Sequence, residues 1–378
     1  MNFPNHGKVL FSATLVRGHI TKFHIPYLKW FKEQGWETWI AAKNDCPNGV
    51  CEIPYCDHFT NIDFARSPFS THTLTAYRQL RELFRNEQFD IVHTHTPVGG
   101  VLTRLAARDA RRSGVKVIYT AHGFHFYDGA PATNWLLWYP VERIMSRFTD
   151  VLVTINQEDY ERARKFAHCY VKYIPGVGVD LSRFVSATCR DAKRTELDMA
   201  PDDYAVLAIG DINKNKNHIV LIKAMAYLPK NIRLYIAGEG PLMEELGVLA
   251  DKLEVSRRVT FLGFRQDVAA LLNACDLFCL PSKREGLPVS LIEAMATGMP
   301  CLASDARGCA DVMGDATECL LSRTATPADW ADAIRRRAMQ QDVQNFDAAR
   351  HRAARFGIES VIPAYQHVYQ LALAGEEG

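Results

Sequence analysis

LFCLPSKREGLPVSLIEAMATGMPCLAS, residues 277–304, contains the pattern that decides the fold. Its apolar run Leu277–Leu280 predicts a short buried strand. Pro288 stands where a first helical residue is expected, because proline lacks the N–H that this position leaves unpaired. The helix that follows should end at Gly298, before a second apolar run, Cys301–Ala303. The stretch therefore predicts a strand–loop–helix–strand unit of an α/β sheet.

Two carboxylates and one helix start fall inside this unit. The backbone N–H groups of Val289 and Ser290 would be unpaired at the positive end of the helix, which suits a phosphate. Glu285 should lie at the rim of the loop and Glu293 in the second helical turn. A carboxylate accepts two hydrogen bonds at once, so the pair suits vicinal sugar hydroxyls. From spacing alone, two solvated surface acids explain the pattern equally well.

Length and periodicity predict two domains of α/β class. A chain of 378 residues is longer than the length that usually folds around one hydrophobic core. Strand-like and helix-like runs alternate in both halves. We expect one domain over residues 1–178, a second over 179–357, and a closing segment, residues 358–378, whose helix runs from near Pro363 to Ala374 and crosses back to the first domain. Open α/β sheets bind ligands at the carboxyl ends of their strands, so a cleft between the domains is the expected site.

The amino-terminal stretch VLFSATLVRGHITKFHIPYLKWFKEQGWETWIAAK, residues 9–43, predicts the first βαβ unit. Gly18 lies in its loop, where a residue without Cβ allows close approach of the backbone to a ligand. A purely local turn explains a single glycine as well. The stretch lacks the G-x-G-x-x-G pattern of a dinucleotide site, which argues against a dehydrogenase.

Residues 281–305 resemble the E-x7-E motif of the retaining family 4 glycosyltransferases. In that family the first Glu contacts the transferred sugar and the second binds the nucleotide ribose, which assigns these roles to Glu285 and Glu293. AIGDINKNKNH, residues 208–218, and IYTAHGFHFYDGAP, residues 118–131, match the same family. The resemblance implies a GT-B fold, in which two Rossmann-like, doubly wound domains face a cleft. It makes the first domain acceptor-binding and the second nucleotide-sugar-binding.

The resemblance assigns Lys216, in the segment that contains Gly210, to the donor diphosphate. It also implies that the backbone at Gly18 approaches the donor phosphates and the acceptor. The position where the family has an Arg is Asp211 here, so Lys214 or the helix start at Val289 would have to replace that cation. A solvated turn lysine is the structural alternative for Lys216, because Asn- and Lys-rich loops are ordinary turns.

His122 corresponds to the family residue at the reacting centre, which contacts the donor sugar. Its place after a strand-like run at Val115–Tyr119 favours that role over a purely structural one. Phe124 and His125 follow as candidates for acceptor binding.

The motifs are most similar to those of a bacterial subgroup that builds capsular and exopolysaccharide repeats. This implies an enzyme that transfers a sugar from a nucleotide sugar to a glycan carried on undecaprenyl diphosphate at the cytoplasmic leaflet. It also implies retention at the anomeric carbon, with the leaving phosphate helping to deprotonate the acceptor. A UDP-sugar epimerase and a non-catalytic nucleotide-sugar-binding subunit are the alternatives.

Composition limits the partners. With 44 basic and 43 acidic side chains the net charge is +1, so no general attraction to nucleic acid is expected. The ten cysteines show no C-x-x-C pair, and we predict reduced thiols, no metal and no cofactor. No secretory signal or bilayer-spanning run is evident, which favours the cytoplasm. The aromatic stretch 134–148, with Arg143 and Arg147, is a candidate for peripheral membrane contact.

Overall fold

The computed structural model describes residues 3–65, 70–166, 168–185, 190–339 and 346–375. The chain forms two units. Unit 1 comprises residues 1–178 and 358–378, and unit 2 comprises residues 179–357.

Unit 1 contains, within its described residues, one seven-stranded parallel sheet of order β3-β2-β1-β4-β5-β6-β7. The strands are β1 Lys8–Leu15, β2 Glu37–Lys43, β3 His58–Asn61, β4 Ile91–His95, β5 Lys116–Ala121, β6 Val151–Thr154 and β7 Tyr170–Tyr173. The helices that precede unit 2 are α1 Thr21–Phe23, α2 Ile25–Glu33, α3 His72–Asn86, α4 Pro97–Ala106, α5 Arg108–Arg112, α6 Ala132–Met145 and α7 Gln157–Ala163. A π-helical turn, Val16–Ile20, connects β1 to α1.

Unit 2 repeats this design with a six-stranded parallel sheet of order β10-β9-β8-β11-β12-β13 in its described part. The strands are β8 Tyr204–Ile209, β9 Ile232–Ala237, β10 Val259–Gly263, β11 Leu277–Leu280, β12 Cys301–Ser304 and β13 Leu320–Leu321. The helices are α8 Ser182–Val185, α9 Arg190–Glu196, α10 His218–Ala224, α11 Met243–Lys252, α12 Val268–Ala274, α13 Val289–Thr297, α14 Arg307–Met313, α15 Pro327–Met339 and α16 Phe346–Ala354.

The last helix, α17 (Ile358–Ala374), belongs to unit 1. The hydroxyl of Tyr369 lies 2.8 Å from Nδ1 of His93 on β4, in the interior of the unit. The sequence predicted this helix from Pro363 onward, but it begins at Ile358, five residues earlier. Pro363 lies in the second turn of this helix, where it cannot donate the helical hydrogen bond to the carbonyl of Glu359.

Alternating side chains of the strands build a core on each face of both sheets. In β1, Val9 and Phe11 pack with α2 and α17, whereas Leu10 packs with α3 and α4. In unit 2, Ala205 and Leu207 of β8 lie in one core, whereas Val206 and Ala208 lie in the other. Helices therefore cover both faces of each parallel sheet, which confirms the prediction of two Rossmann-like, doubly wound folds.

The segment that predicted the fold has nearly the expected bounds. The strand Leu277–Leu280 agrees with the prediction, and the second strand extends one residue further, to Ser304. Helix α13 ends at Gly298, whose left-handed φ of 84° suits glycine. Pro288 is the N-cap residue and not the first helical residue, because its ψ of 98° is that of extended backbone.

The expectation that the thiols are all reduced is wrong for one pair. Cys46 and Cys51 form a disulfide with a Cα–Cα distance of 5.5 Å. The intervening turn Pro47–Gly49 reverses the chain and brings the two residues together, which spacing alone did not reveal. None of the helices in the described ranges combines the length and apolar character needed to cross a bilayer.

Candidate functional site

The strand order of unit 2 reverses direction between β8 and β11, and parallel sheets bind ligands at such a switch point. Two loops leave the carboxyl ends of these strands, residues 210–217 and 281–288. Asn215 joins them, because its side-chain amide donates to the carbonyl of Arg284 at 2.9 Å and its own carbonyl accepts from the Lys283 amide at 2.8 Å. Asn215 thus holds the two loops in register.

Lys216 and Glu285, one from each loop, form an ion pair with Nζ and Oε1 2.8 Å apart. Their side chains are 20% and 11% exposed, so Glu285 is not the solvated surface acid that was the alternative to a site role. A Cβ added at Gly210 would lie 3.1 Å from Cε of Lys216, so glycine leaves room for the lysine stem. The structure therefore brings three of the predicted residues together.

The sequence reasoning missed Arg307, at the start of α14. Its Nε donates to the backbone carbonyl of Glu285 at 3.0 Å. The next residue, Gly308, approaches the same loop so closely that an added Cβ would lie 2.3 Å from the Gly286 carbonyl oxygen. Asp211, which replaces the expected Arg, is exposed, and Arg307 brings a guanidinium to this loop instead. Its position just after a buried strand, at the ligand-binding edge, was the available signal.

The amino terminus of α13 offers unpaired backbone donors, as predicted. The amides of Leu291 and Ile292 bond to the Pro288 carbonyl at 3.1 and 3.3 Å. Within the described residues, the amides of Val289 and Ser290 have no hydrogen-bond partner. Two N–H groups at the positive end of a nine-residue helix have the geometry and charge that suit an anion.

Glu293 lies on the same helix and is partly buried, and within the described residues no hydrogen bond or ion pair engages its carboxylate. Burial raises its pKa to about 7, against a small opposing effect of the Arg183 charge. An acid that loses water without gaining a partner is costly to keep ionised. A ligand that donates hydrogen bonds to this carboxylate would supply what the protein does not.

Unit 1 has its own switch point, between β1 and β4. A cavity of about 300 Å³ opens there. Its lining comes from the segments that follow the two strands and from the region of α6, and includes Gly18, His19, Thr96, His125 and Trp138.

Gly18 lies in the π-helical turn after β1. Its amide and that of Arg17 donate to the two carboxylate oxygens of Asp45, at 3.2 and 2.7 Å. The backbone at Gly18, which the family resemblance implies approaches the donor phosphates, therefore donates to a carboxylate in this structure. Asp45 gave no sequence signal, because it lies 27 residues further along the chain.

The residues predicted around His122 separate into different environments. His125 stacks on Trp138, with ring centroids 4.7 Å apart, and borders the cavity. Phe124 lies in the core, where its ring is 3% exposed and stacks on Phe126. The Phe124 ring therefore serves packing in this structure rather than presenting a surface to an acceptor.

His122 lies among three other histidines that the sequence reasoning did not single out, His19, His24 and His95. Nδ1 of His95 and Nε2 of His122 are 3.2 Å apart. Burial lowers the pKa of His122 to about 4, so its imidazole is neutral near pH 7 and can both donate and accept a hydrogen bond. The repeated histidine in HTH of β4 was the available signal, since alternate residues of a strand share a face.

Comparison with known proteins identifies the family. A model described as Glycosyl transferase 4-like matches residues 8–156, and one described as Glycosyl transferases group 1 matches residues 190–354. The chain is 44% identical over 334 residues, 86% of each protein, to a Bacillus subtilis (strain 168) protein named "Putative glycosyltransferase EpsD". It is 32% identical over 240 residues, 61% of each protein, to the UDP-Gal:alpha-D-GlcNAc-diphosphoundecaprenol alpha-1,3-galactosyltransferase of Escherichia coli.

Solved structures agree at the level of the fold. Anabaena Alr3699/HepE in complex with UDP and glucose superposes with a TM-score of 0.77 at 19% identity, over 97% of this chain and all of that one. WaaG, a glycosyltransferase involved in lipopolysaccharide biosynthesis, gives a TM-score of 0.72 at 18% identity, over 95% and 99% of the two chains. The chain therefore belongs to the family 4 glycosyltransferases and is a GT-B enzyme with two Rossmann-like units.

Proposed function

We propose that this glycosyltransferase moves a sugar, with retention at the anomeric carbon, from a nucleotide-diphosphate sugar to a lipid-linked glycan in exopolysaccharide or capsule biosynthesis. Unit 2 would bind the donor and unit 1 the acceptor. The observation that carries the proposal is the combination, at the switch point of unit 2, of the Lys216–Glu285 pair and the unpaired amides of Val289 and Ser290.

The donor diphosphate would be bound by positive groups alone. Lys216 and the two amides at the start of α13 would stabilise the leaving diphosphate as negative charge develops on it. In the donor-free protein Glu285 holds Lys216 in place. When the phosphate pairs with Lys216, the Glu285 carboxylate is free to accept from a hydroxyl of the sugar.

The nucleoside would be bound through Glu293. Its partly buried and unpaired carboxylate matches the vicinal hydroxyls of a ribose, which donate two hydrogen bonds to one carboxylate. Such bonds favour the ionised form and would offset the cost of burying it. This gives a physical reason for an otherwise unfavourable acid on α13.

The chemical step, as the family resemblance implies, uses no protein nucleophile. A phosphate oxygen of the leaving diphosphate would take the proton of the acceptor hydroxyl. The hydroxyl oxygen would attack the anomeric carbon from the same face as the bond from that carbon to the diphosphate breaks. His122 would contact the donor sugar through its neutral imidazole, and His125, beside the cavity of unit 1, would contact the acceptor.

The names of the relatives support the choice of substrates. The Escherichia coli relative is named for UDP-Gal as donor and for a diphosphoundecaprenol-linked sugar as acceptor, and HepE is described in complex with UDP. We therefore propose a polyprenyl-diphosphate-linked acceptor and place UDP-sugars first among the donors to be tested, with GDP-sugars next.

The test uses the purified full chain with radiolabelled UDP-sugars and GDP-sugars, with and without membranes that contain lipid-linked acceptors. We expect label to enter the lipid extract and nucleoside diphosphate to be released only when acceptor is present. Glu285→Gln should abolish transfer, whereas Glu245→Gln, an exposed acid of α11, should leave it unchanged. Acceptor-independent formation of an isomerised sugar would instead identify a UDP-sugar epimerase. NMR of the product would test retention.

Helix α6 provides the feature for peripheral membrane contact on the cytoplasmic face. Leu136, Leu137 and Ile144 are exposed, and Arg143 is exposed as well. At about 100° per residue, these side chains fall within an arc of about 120° of the helix. An apolar stripe with a cation suits the surface of an anionic bilayer. Leu136→Glu should reduce co-flotation with phosphatidylglycerol vesicles, and equal flotation of both proteins would refute the contact.

A further inference from the structure

Four histidines of unit 1 converge from separate segments of the chain. His19 lies in the π-helical turn after β1, His24 between α1 and α2, His95 at the end of β4 and His122 just after β5. One ring nitrogen of each lies within 4.8 Å of those of the other three. The parallel strands deliver these side chains to one edge of the sheet, because the carboxyl ends of parallel strands lie side by side.

The nitrogens of this cluster lack the partners that buried imidazoles normally have. Both ring nitrogens of His24, Nε2 of His19 and Nε2 of His95 are buried without a hydrogen-bond partner within the described residues. The neighbouring His93 is the contrast, since its two ring nitrogens lie 2.8 Å from the hydroxyls of Tyr369 and Thr120. Buried polar atoms without partners point to a missing ligand when several face one another.

We propose that His19, His24, His95 and His122 bind one divalent transition-metal ion, of which zinc is the prime candidate. The donor set is four imidazoles and no carboxylate, which suits zinc, cobalt or nickel and not magnesium or calcium, since these prefer oxygen. The ion is therefore distinct in chemistry from a magnesium ion that would accompany a diphosphate. The ion would take one ring nitrogen of His122 and leave the other, as an N–H donor, for the proposed contact with the donor sugar. The site rests on the positions of the rings and not on the proposed transfer reaction.

The cluster has a route of entry and a structural consequence. His19 borders the cavity at the β1–β4 switch point, and His122 is only partly buried, so an ion can reach the rings from that side. Once bound, the ion would join the segments that follow β1, β4 and β5. Because it would bind the folded unit and not the unfolded chain, it should raise the unfolding temperature.

The experiment is a titration of the chelator-treated full chain with cobalt(II), followed by visible absorption, and then displacement by zinc. We expect a single equivalent of cobalt with ligand-field bands typical of nitrogen ligation, loss of the bands with zinc, and a higher unfolding temperature with either ion. His24→Phe, which keeps an aromatic ring, and His19→Gln should each lose this binding step. His168→Gln, an exposed histidine of the same unit, should retain it.

The proposal is overturned if the wild-type chain takes up no cobalt or zinc beyond the weak uptake expected of exposed histidines. It is also overturned if folded His24→Phe and His19→Gln bind as the wild type does. Should both variants misfold, X-ray absorption of the zinc-loaded wild-type chain decides the matter. A shell of at least three imidazoles supports the site, whereas sulfur or mainly oxygen ligands would assign the ion to cysteines or to the surface.

Discussion

Replacing Glu293 by glutamine removes an ionisable group from α13 while keeping its shape, and it should stabilise the protein above neutral pH. Burial raises the pKa of Glu293 from 4.5 to about 7, a difference of about 2.5 units. At about 1.36 kcal/mol per unit, the ionised carboxylate costs the folded state about 3 kcal/mol.

The sign follows from which state binds the proton more tightly. The pKa of Glu293 is higher in the folded protein than in the unfolded chain. The contribution of its proton to the free energy of unfolding is therefore fully present below pH 4.5, the pKa in the unfolded chain, and is lost as the pH rises through about 7. Glutamine does not titrate. The free energy of unfolding of Glu293→Gln should therefore equal that of the wild type near pH 4 and exceed it by about 3 kcal/mol near pH 8.

The assay is urea-induced unfolding of the full chain from about pH 4 to about pH 8, with wild type and variant measured side by side so that other titrating groups cancel. Glu245→Gln, at an exposed position of α11, is the matched control and should show no pH-dependent difference. A difference for Glu293→Gln that does not change with pH, or that favours the wild type at high pH, would refute the assigned burial cost.

The same carboxylate links stability to the proposed ligand. Ribose hydroxyls that donate to Glu293 favour its ionised form, so binding of a nucleoside diphosphate near pH 7 should release protons. Calorimetric titration with UDP and GDP in buffers of different ionisation enthalpy measures that release. Glu293→Gln should abolish it, and proton uptake by the wild type would contradict the assigned contact.

Two further predictions concern the loops of unit 2. Lys216→Ala should lower kcat about 10²- to 10³-fold in the nucleoside diphosphate release assay, as expected for the loss of one group that stabilises developing charge, whereas Lys230→Ala, at an exposed site, should not; equal rates would remove Lys216 from the site. Gly308→Ala should reduce turnover because its Cβ would lie 2.3 Å from the Gly286 carbonyl oxygen and displace the loop. Gly247→Ala is the control, because its Cβ meets nothing within 4 Å. It should leave turnover unchanged and stabilise α11 by about 0.5–1 kcal/mol in thermal unfolding. Unchanged turnover of Gly308→Ala would contradict the expected displacement of the loop.

Local signals made the fold predictable. The bounds of β11 and the end of α13 followed from an apolar run and from Gly298, because these features act within a few residues. The start of α17 was missed because Pro363 is an unreliable boundary when it lies within the first turns of a helix.

The candidate site was only partly predictable, because its contacts join distant residues. The ion pair of Lys216 and Glu285 spans 69 positions, and both residues were found only through their family motif. No motif marked Arg307. The ring of Phe124 is buried because it packs against Phe126. The sequence places Phe124 next to a histidine but does not show that its ring is buried.

The four histidines illustrate the same limit. They are spread over residues 19–122, in segments that the chain brings together only through parallel strand pairing. The disulfide of Cys46 and Cys51 is the opposite case, since its partners are close in sequence but depend on the local turn that joins them.

Transfer of label from a nucleotide sugar to a lipid-linked acceptor tests the central claim most directly. With the wild-type chain, we predict that each label recovered in the lipid extract is matched by one nucleoside diphosphate released. Both should be lost in Glu285→Gln and retained in Glu245→Gln. Release of nucleoside diphosphate without lipid-linked product, or full transfer by Glu285→Gln, would contradict the account.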